Sequence, residues 1–268
     1  MSSSSSARAH VQWDEERSEP YMIIPAVPSI RFTPLRSTDG QNFVDLYNDP
    51  EGGQYAFRRP YPYDLECSQW FMDNFHADLD MICASLKSHL EHGTRPPATT
   101  FPLAMMRYVP TCSSVNGSTA TDSSYSKLDR PDVDQAVEDR LSEMNLSPDT
   151  FLGSFTSFPN TNDIANSIGE TSKSASRTHM VAYDLMPFMR GKGVGTRALD
   201  AVLEGWNDWV GVEETIAHIQ ESNVASRTMI RRCGFDEVDS EIWQWPLEKG
   251  GGERRVFKYV RGRPKDVK

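Results

Sequence analysis

The stretch VAYDLMPFMRGKGVGT, Val181 to Thr196, predicts a β-strand, a glycine-rich turn and the first turn of a helix. The strand is the apolar run that ends at Pro187, and the turn carries Gly191, Gly193 and Gly195 at alternate positions. Glycines let backbone N–H groups lie close together, and the start of a helix adds unpaired N–H groups and the positive end of its dipole. The stretch therefore predicts a binding site for an anion.

Three cations accompany the glycines and narrow the anion to a phosphate, in particular a diphosphate: Arg190, Lys192 and Arg197. Two common phosphate-binding patterns do not fit. The P-loop requires a Gly, four residues and Gly-Lys-Ser/Thr, and the dinucleotide fingerprint requires a third glycine where this chain has Thr196. A tight strand-to-helix connection that binds nothing remains an alternative interpretation of residues 190–195.

A helix, a second strand and a second helix follow the turn. Apolar residues recur at three- and four-residue steps, the period of one buried helix face, until Gly211 ends the first helix. Residues 215–219 form a β-rich run, and a strand, a helix and a strand close as a right-handed parallel crossover. Asn223 then caps a short helix, 225–233, which ends at Gly234.

Two motifs in this unit resemble those of the GNAT superfamily of N-acetyltransferases. Arg190-x-x-Gly193-x-Gly195 is similar to the diphosphate signature of the family. A second motif resembles that of its RimJ/RimL-like branch and consists of Asn223, Ser226, Gly234 and Phe235. The resemblance covers residues 30–260 apart from insertions. It implies direct transfer of an acetyl group from acetyl-CoA to a primary amine, such as a protein N-terminus or a small-molecule amine, in a ternary complex.

The resemblance implies an α/β fold of mixed α+β type, with a central mixed, mostly antiparallel sheet, helices on both faces and two splayed parallel strands. We predict one such domain over residues 20–262, with polar insertions at about 110–148 and 160–177. Residues 1–19 are rich in serine and predict a flexible tail, and residues 263–268 predict a basic tail. The first insertion is polar enough that we expect it to be dispensable for cofactor binding.

The resemblance also implies a set of residues that hold acetyl-CoA as a cosubstrate, without a metal. The end of the strand exposes main-chain groups to the pantetheine arm, the turn binds the diphosphate, and the cap of the second helix hydrogen-bonds the arm. The implied cofactor-binding residues are Leu185, Met186, Arg190, Gly191, Lys192, Gly193, Val194, Gly195, Thr196, Asn223 and Ser226. Core packing is the alternative role of the Leu185 and Met186 side chains.

By the same resemblance, the catalytic residues are Ser226, which would reach the leaving thiolate, and Asn223. The alternative for Ser226 is that of an ordinary serine in a first helical turn. Many relatives carry a tyrosine where this chain has Ile230, so acid catalysis by a tyrosine is not expected. Met180 stands where relatives often have an acidic residue, so no general base is identified among the nearby His179, Tyr183 and Asp184. A water relay, or an acceptor that arrives partly neutral, would serve instead.

The acceptor is expected to enter between the loop Asp49–Asp64 and a hairpin formed by residues 240–247 and 255–260, and to contact Tyr55 and Phe57. Packing of these aromatic rings within the loop is the alternative. Acidic residues on both flanks predict a cationic amine, with solvated surface acids as the alternative: Asp45, Asp49, Glu51, Asp64 and Glu66, and Asp236, Glu237, Asp239, Glu241 and Glu248. A catalytically silent acyl-CoA-binding protein and an acyltransferase with another acyl-CoA donor also stay open.

Composition restricts the remaining partners. The chain has 28 Lys and Arg against 38 Asp and Glu, and its net charge of -10 argues against a nucleic-acid partner. It has no apolar run near the ~20 residues of a spanning helix and no secretory stretch at its start, so we expect no membrane partner and a soluble, cytoplasmic protein. The four cysteines lack the paired spacing of a zinc site or a disulfide framework. We expect a monomer or a homodimer.

Overall fold

The computed structural model describes residues 10–110, 133–160 and 177–262. Strands in these ranges form a nine-stranded sheet with the order β1-β2-β3-β4-β5-β6-β7-β9-β8. They are β1 (Val11–Asp14), β2 (Glu19–Ile23), β3 (Ile30–Thr33), β4 (Met105–Tyr108), β5 (Phe151–Pro159), β6 (Thr178–Leu185), β7 (Glu214–Gln220), β8 (Asp236–Gln244) and β9 (Glu253–Gly262). Neighbouring strands are antiparallel except β6 and β7, which are parallel. The predicted mixed, mostly antiparallel sheet is confirmed.

The helices are α1 (Gly40–Tyr47), α2 (Pro50–Gly53), α3 (Leu65–His92), α4 (Gln135–Glu143), α5 (Val194–Ala201) and α6 (Val224–Arg232). α5 continues through a π-helical segment, Val202–Asn207, and a last turn, Asp208–Val210. α1 packs on α3, and α5 packs on α6. None of the helices in the described ranges combines the length and the apolarity that a membrane crossing requires.

Two clusters of buried side chains fix β5, and with it β6, in the middle of the molecule. In the larger cluster Phe32 contacts both Phe101 and Phe155 edge to face, with ring centroids 5.5 and 5.7 Å apart. In the smaller cluster Phe43 of α1 packs against Phe151 of β5. Burial of apolar surface in these clusters stabilises the fold by about 25 cal/mol per Å² removed from water. The central strands therefore provide a rigid support for the turn that follows β6.

The parallel strands β6 and β7 pair over only part of their length. Thr178, His179 and Met180 lie opposite Glu214, Thr215 and Ile216, and the pairing stops there. Beyond these residues β6 continues to Leu185 against β5, while β7 continues to Gln220 against β9. The two strands diverge as a result, and we refer to the space between residues 181–185 and 217–220 as the β6/β7 gap. The splayed parallel pair expected from the sequence is present.

The predicted N-terminal tail is wrong over the part that the structure describes. Val11–Asp14 forms β1 and pairs with β2, and Val11 is 2% exposed. The Asp14 carboxylate accepts hydrogen bonds from the N–H groups of Glu16 and Arg17, which closes the hairpin turn. Residues 1–9 and the predicted basic tail 263–268 lie outside the described ranges.

The predicted first insertion is also wrong for its second half, because α4 belongs to the core. Val137 and Leu141 are 2% and 0% exposed and pack in the larger cluster. Glu138 accepts a hydrogen bond from the N–H of Ser29, which joins α4 to the start of β3. Two apolar residues four apart were enough for burial, although the segment as a whole is polar. Residues 111–132 and 161–176 lie outside the described ranges.

β8 lies at one end of the sheet and is exposed along most of its length. Its register with β9 shifts between Glu237 and Asp239, as in a β-bulge. Asp236, Glu237, Asp239 and Glu241 are exposed along this strand. The outer edge of the sheet is thus irregular and acidic.

Candidate active site

The glycine-rich turn lies between the end of β6 and the start of α5. Gly193 has φ 86°, in the left-handed region, and is the N-cap of α5. A Cβ at Gly195 would lie 2.7 Å from Met229 Sδ and 3.2 Å from Leu185 Cδ1. The N–H groups in the first turn of a helix have no intrahelical acceptors, and no side chain caps α5. These groups could bind an anion, and both glycines are also required by the backbone and packing of the turn.

The three cations of the turn have different partners. Arg190 Nη2 lies 2.6 Å from Asp49 Oδ2, and the guanidinium also donates to the carbonyl of Leu185, at 3.2 Å, and to Glu51. Arg197 Nη2 lies 3.0 Å from Asp134 Oδ2, at the N-cap of α4. In the described ranges the Lys192 side chain forms neither an ion pair nor a hydrogen bond. Of the cations expected to bind phosphate, two neutralise carboxylates, and Lys192 is available.

The main chain at the end of β6 offers Leu185 rather than Met186 to the gap. The Met186 N–H donates to the Leu152 carbonyl at 3.0 Å, across to β5. Main-chain groups alternate between the two edges of a strand, so the groups of Leu185 point towards the gap, where its carbonyl accepts from Arg190. Of the two main chains predicted to meet the pantetheine arm, that of Leu185 has the suitable direction.

Ser226 lies next to a tyrosine that the sequence analysis did not place there. Tyr183 Oη and Ser226 Oγ share a hydrogen bond at 2.7 Å, and Asn223 Oδ1 accepts from the Ser226 N–H at 3.1 Å. Tyr183 stacks on Phe155, and burial raises its pKa, so the phenol is protonated at neutral pH. Ile230 is fully buried, and a phenol reaches the helix from β6 instead. The period of two along β6, which puts Tyr183 and Leu185 on one face, was the available signal.

Two of the nearby candidates for a general base are unsuited to that role, one because it is paired and the other because it is buried. Asp184 is on the opposite face of β6 and pairs with Arg59, with Oδ2 2.6 Å from Nη2. Burial lowers the pKa of Arg59, but Asp184 outweighs it and the net shift is upward; the guanidinium also lies 3.4 Å from the centre of the Tyr47 ring. His179 is 0% exposed, and burial lowers its pKa to about 4.

The loop Asp49–Asp64 packs against the C-terminal hairpin, on the same face of the sheet as Asp184. Phe57 contacts Trp243 and Trp245, with ring centroids 4.9 and 5.2 Å apart. Trp245 Nε1 donates to the carbonyl of Gln54 at 3.1 Å. Lys249 donates to three further loop carbonyls, those of Ala56, Phe57 and Arg59. The two elements between which the acceptor was expected to enter are in contact, and Phe57 lies between them, while Tyr55 is half-buried in the loop.

Several of the acidic residues predicted to flank the entry of the acceptor have partners within the protein. Asp49 and Glu51 pair with Arg190, and Asp64 caps α3 by accepting from the Cys67 N–H. Glu237 Oε2 accepts from Arg231 and from the Tyr259 hydroxyl, at 2.6 and 2.8 Å. These residues therefore attract a cation less strongly than their number indicates. The described ranges hold no cluster of three or more His, Cys, Asp or Glu side chains suited to a metal ion.

Comparison with protein families identifies this arrangement. The model of the acetyltransferase (GNAT) domain family matches residues 104–236, which run from β4 to the start of β8 and include both the glycine-rich turn and Ser226. The chain contains a GNAT acetyltransferase domain. No curated protein sequence matches it significantly.

Solved structures share the fold of this chain at low sequence identity. Spermidine N-acetyltransferase from Vibrio cholerae, in complex with CoA and spermine, is 11% identical with a TM-score of 0.52, over 90% of this chain and 99% of that one. RimL, a ribosomal L7/L12 α-N-protein acetyltransferase, is 11% identical with a TM-score of 0.51, over 91% and 95%. The microcin C7 self-immunity acetyltransferase MccE, in complex with acetyl-CoA and AMP, is 11% identical with a TM-score of 0.50, over 90% and 99%. RimL belongs to the branch expected from the sequence.

Proposed function

We propose that this GNAT domain binds acetyl-CoA in the β6/β7 gap and transfers the acetyl group to a primary amine. The observation that carries the proposal is the gap itself, with the uncapped start of α5 at one end and the Tyr183 and Ser226 hydroxyls beside it. Solved relatives of the same fold hold CoA or acetyl-CoA, which agrees with this assignment.

The cosubstrate would be held mainly by main-chain groups. The N–H groups of residues 191–196 would bind the diphosphate, with Lys192 as the cation beside it. The main chain of Leu185 and the side-chain amide of Asn223 would bond the pantetheine arm. Arg190 would take part only if it left Asp49, because its guanidinium is already paired. This assignment retains the binding regions predicted from the sequence. It gives Met186 and Arg190 a smaller part in binding the cosubstrate than the sequence predicted.

The reaction would then proceed by direct attack. A neutral amine forms a bond to the thioester carbonyl carbon, the carbon–sulfur bond breaks, and the proton that leaves the nitrogen is balanced by the one that the sulfur gains. The Ser226 hydroxyl, hydrogen-bonded to the Tyr183 phenol, would donate a hydrogen bond to that thiolate. A hydroxyl pair of this kind stabilises the negative charge that develops on sulfur.

The acceptor would approach on the face of β6 that carries Asp184, opposite the Tyr183 face, beside the contact between the loop Asp49–Asp64 and the C-terminal hairpin and near Tyr55 and Phe57. We assign it as a protein N-terminus or a small-molecule amine that arrives as a cation. The net charge of -10 supports a cation, as do Asp45, Asp239 and Glu241, which form no ion pair within the described ranges. Attraction by such exposed carboxylates would weaken with salt.

Two measurements test the proposal. Titration calorimetry should detect CoA binding, and acetyl-CoA should be consumed when a tripeptide with a free α-amine or spermidine is added. CoA binding without transfer to any amine would indicate a catalytically silent acyl-CoA-binding protein. Faster turnover with succinyl-CoA than with acetyl-CoA would indicate another donor, and absence of CoA binding would contradict the proposal altogether.

A further inference from the structure

His218 lies on β7 at the place where the β6/β7 gap opens. The last residue of β7 that pairs with β6 is Ile216, opposite Met180, and His218 follows it by two positions. Because side chains alternate along a strand, His218 points to the same face as Ala182 and Asp184, the face covered by the loop Asp49–Asp64. Both His218 and Ala182 are exposed. The imidazole therefore borders the gap from the side on which the acceptor would arrive.

The contacts of His218 belong to the predicted acceptor path. Its ring lies 5.6 Å from that of Trp243, which itself contacts Phe57. The charged groups that face it are Lys258 of β9, Glu241 of β8 and Arg58 of the loop. On β6, the carboxylate of Asp184 is already neutralised by Arg59.

His218 differs from the other five histidines of the chain. His76, His89, His92 and His179 each bond a neighbouring side chain or carbonyl, and His10 is packed against Gly205. Within the described ranges, neither ring nitrogen of His218 has a hydrogen bond or an ion pair. Partial burial lowers its pKa from 6.5, with Lys258 and Arg58 acting in the same direction against Glu241. The ring is neutral at neutral pH and has a nitrogen that can accept a proton.

We propose that His218 is the general base that takes the proton from the acceptor ammonium, an assignment that rests on the proposed acetyl transfer. The ammonium N–H bond breaks, its electron pair stays on nitrogen, and the proton passes to the imidazole, which becomes cationic. The neutral amine then attacks the thioester carbon. His218 returns its proton to solvent, to which it is exposed, and the net reaction releases one proton for each ammonium acetylated.

The test compares two nucleophiles with His218→Gln and with a control, His92→Gln, on the remote helix α3. A tripeptide α-amine is largely protonated at about pH 7 and needs a base, whereas hydroxylamine is already neutral and does not. We expect His218→Gln to lower kcat/KM for the tripeptide by about 100-fold, and to leave both the hydroxylamine reaction and the Kd for CoA close to wild type. The acid limb of the wild-type pH profile, below about pH 6.5, should disappear in the variant. His92→Gln should match wild type.

Each other outcome decides against the assignment. Equal losses for the tripeptide and hydroxylamine would make His218 a residue that only shapes the site, and an unchanged tripeptide rate with the acid limb retained would exclude it as the base. A wild-type protein that binds CoA and acetylates neither nucleophile would overturn the proposed function itself, and the assignment of His218 with it. The wild-type arm thus distinguishes the two failures.

Discussion

At the β6/β7 gap the hydroxyl groups of Tyr183 and Ser226 share one hydrogen bond at 2.7 Å, although the residues are 43 positions apart. If the pair stabilises the leaving thiolate, Tyr183→Phe and Ser226→Ala should each lower kcat by ~10-fold to ~100-fold, with little change in the Kd for CoA. Phenylalanine keeps the aromatic stack on Phe155, so the first variant removes only the hydroxyl.

A double-variant cycle separates a relay from two independent groups. If the hydroxyls act as a unit, the double variant should lose about as much activity as the more strongly impaired single variant, because the effects of groups in one network are not additive. Additive losses would contradict a relay. An unchanged kcat in Ser226→Ala would exclude a catalytic role for Ser226 and leave it as an ordinary serine in the first turn of a helix.

Lys192 gives a sharper test of phosphate binding than the glycines. A Cβ at Gly195 already collides with Met229, and Gly193 requires a left-handed backbone, so bulky variants at either position would disturb the fold. Lys192→Ala should weaken CoA binding by about tenfold, which corresponds to about 1.4 kcal/mol, with a smaller difference at high salt. Lys87→Ala on α3 is the matched control. Equal calorimetric Kd values for both variants would remove Lys192 from the site.

What the sequence could predict at this scale was local chemistry. Asn223 as a helix cap follows from its position before an amphipathic segment, and the structure contains that cap. The partners of Arg190 and Arg197 could not be predicted, because Asp49 and Asp134 come from distant segments that tertiary packing brings to the turn. No residue pattern near either arginine indicates those carboxylates.

Among the elements, α4 has the largest consequence for the site. Arg140 donates to the carbonyl of Lys192 at 3.0 Å, and Asp134 at the N-cap of α4 pairs with Arg197. Leu141 anchors the helix and is 0% exposed. Leu141→Ala should lower the free energy of unfolding by about 2–4 kcal/mol, since it leaves a cavity in the core. Urea denaturation measures this loss.

Asp139→Ala on the exposed face of the same helix serves as the control and should change stability by less than about 0.5 kcal/mol. A similar small change in Leu141→Ala would contradict the placement of α4 in the core. The sequence indicated a short charged helix at residues 133–144 but not its burial, and it did not indicate β1. Whether a short element in a polar segment is buried depends on what it packs against, and that information lies elsewhere in the chain.

On the scale of the whole molecule, the described fold contains a pH-sensitive buried group. The Ser157 hydroxyl donates to Asn207 Oδ1 at 2.8 Å, so His179 Nδ1–H donates to Ser157 Oγ at 3.0 Å. Burial lowers the pKa of His179 to about 4 from 6.5. Between these values the unfolded chain binds a proton that the folded protein does not. The free energy of unfolding should therefore fall as pH drops from about 6.5 to about 4, by up to about 3 kcal/mol from this residue.

Urea denaturation of wild type and His179→Gln across this pH range measures the contribution as a difference in slope. The variant should lose less stability on acidification than wild type does. Parallel curves would show that His179 titrates alike in both states and would contradict the assigned shift.

The strand, glycine turn and helix at residues 181–196 predicted the right-handed parallel crossover, whereas the mostly antiparallel sheet around it was implied by the family resemblance. The divergence of β6 and β7 came from the family resemblance and not from periodicity. Residues that form the face opposite α6, His218 among them, were not recognised. The run TIAHI predicts a strand but does not indicate which of its side chains meets a gap.

The acidic, bulged edge at β8 also affects how copies of the protein behave towards each other. An edge strand exposes unpaired N–H and C=O groups to which the edge of another molecule could add. Here the shift at Glu237 and Asp239 interrupts that template, and Asp236 and Glu241 add charge of one sign on either side. Two such edges repel each other at neutral pH, so crowding should not extend the sheet from one molecule to the next. Protonation of these carboxylates or high salt would remove the repulsion, and self-association by edge pairing is then opposed by the bulge alone.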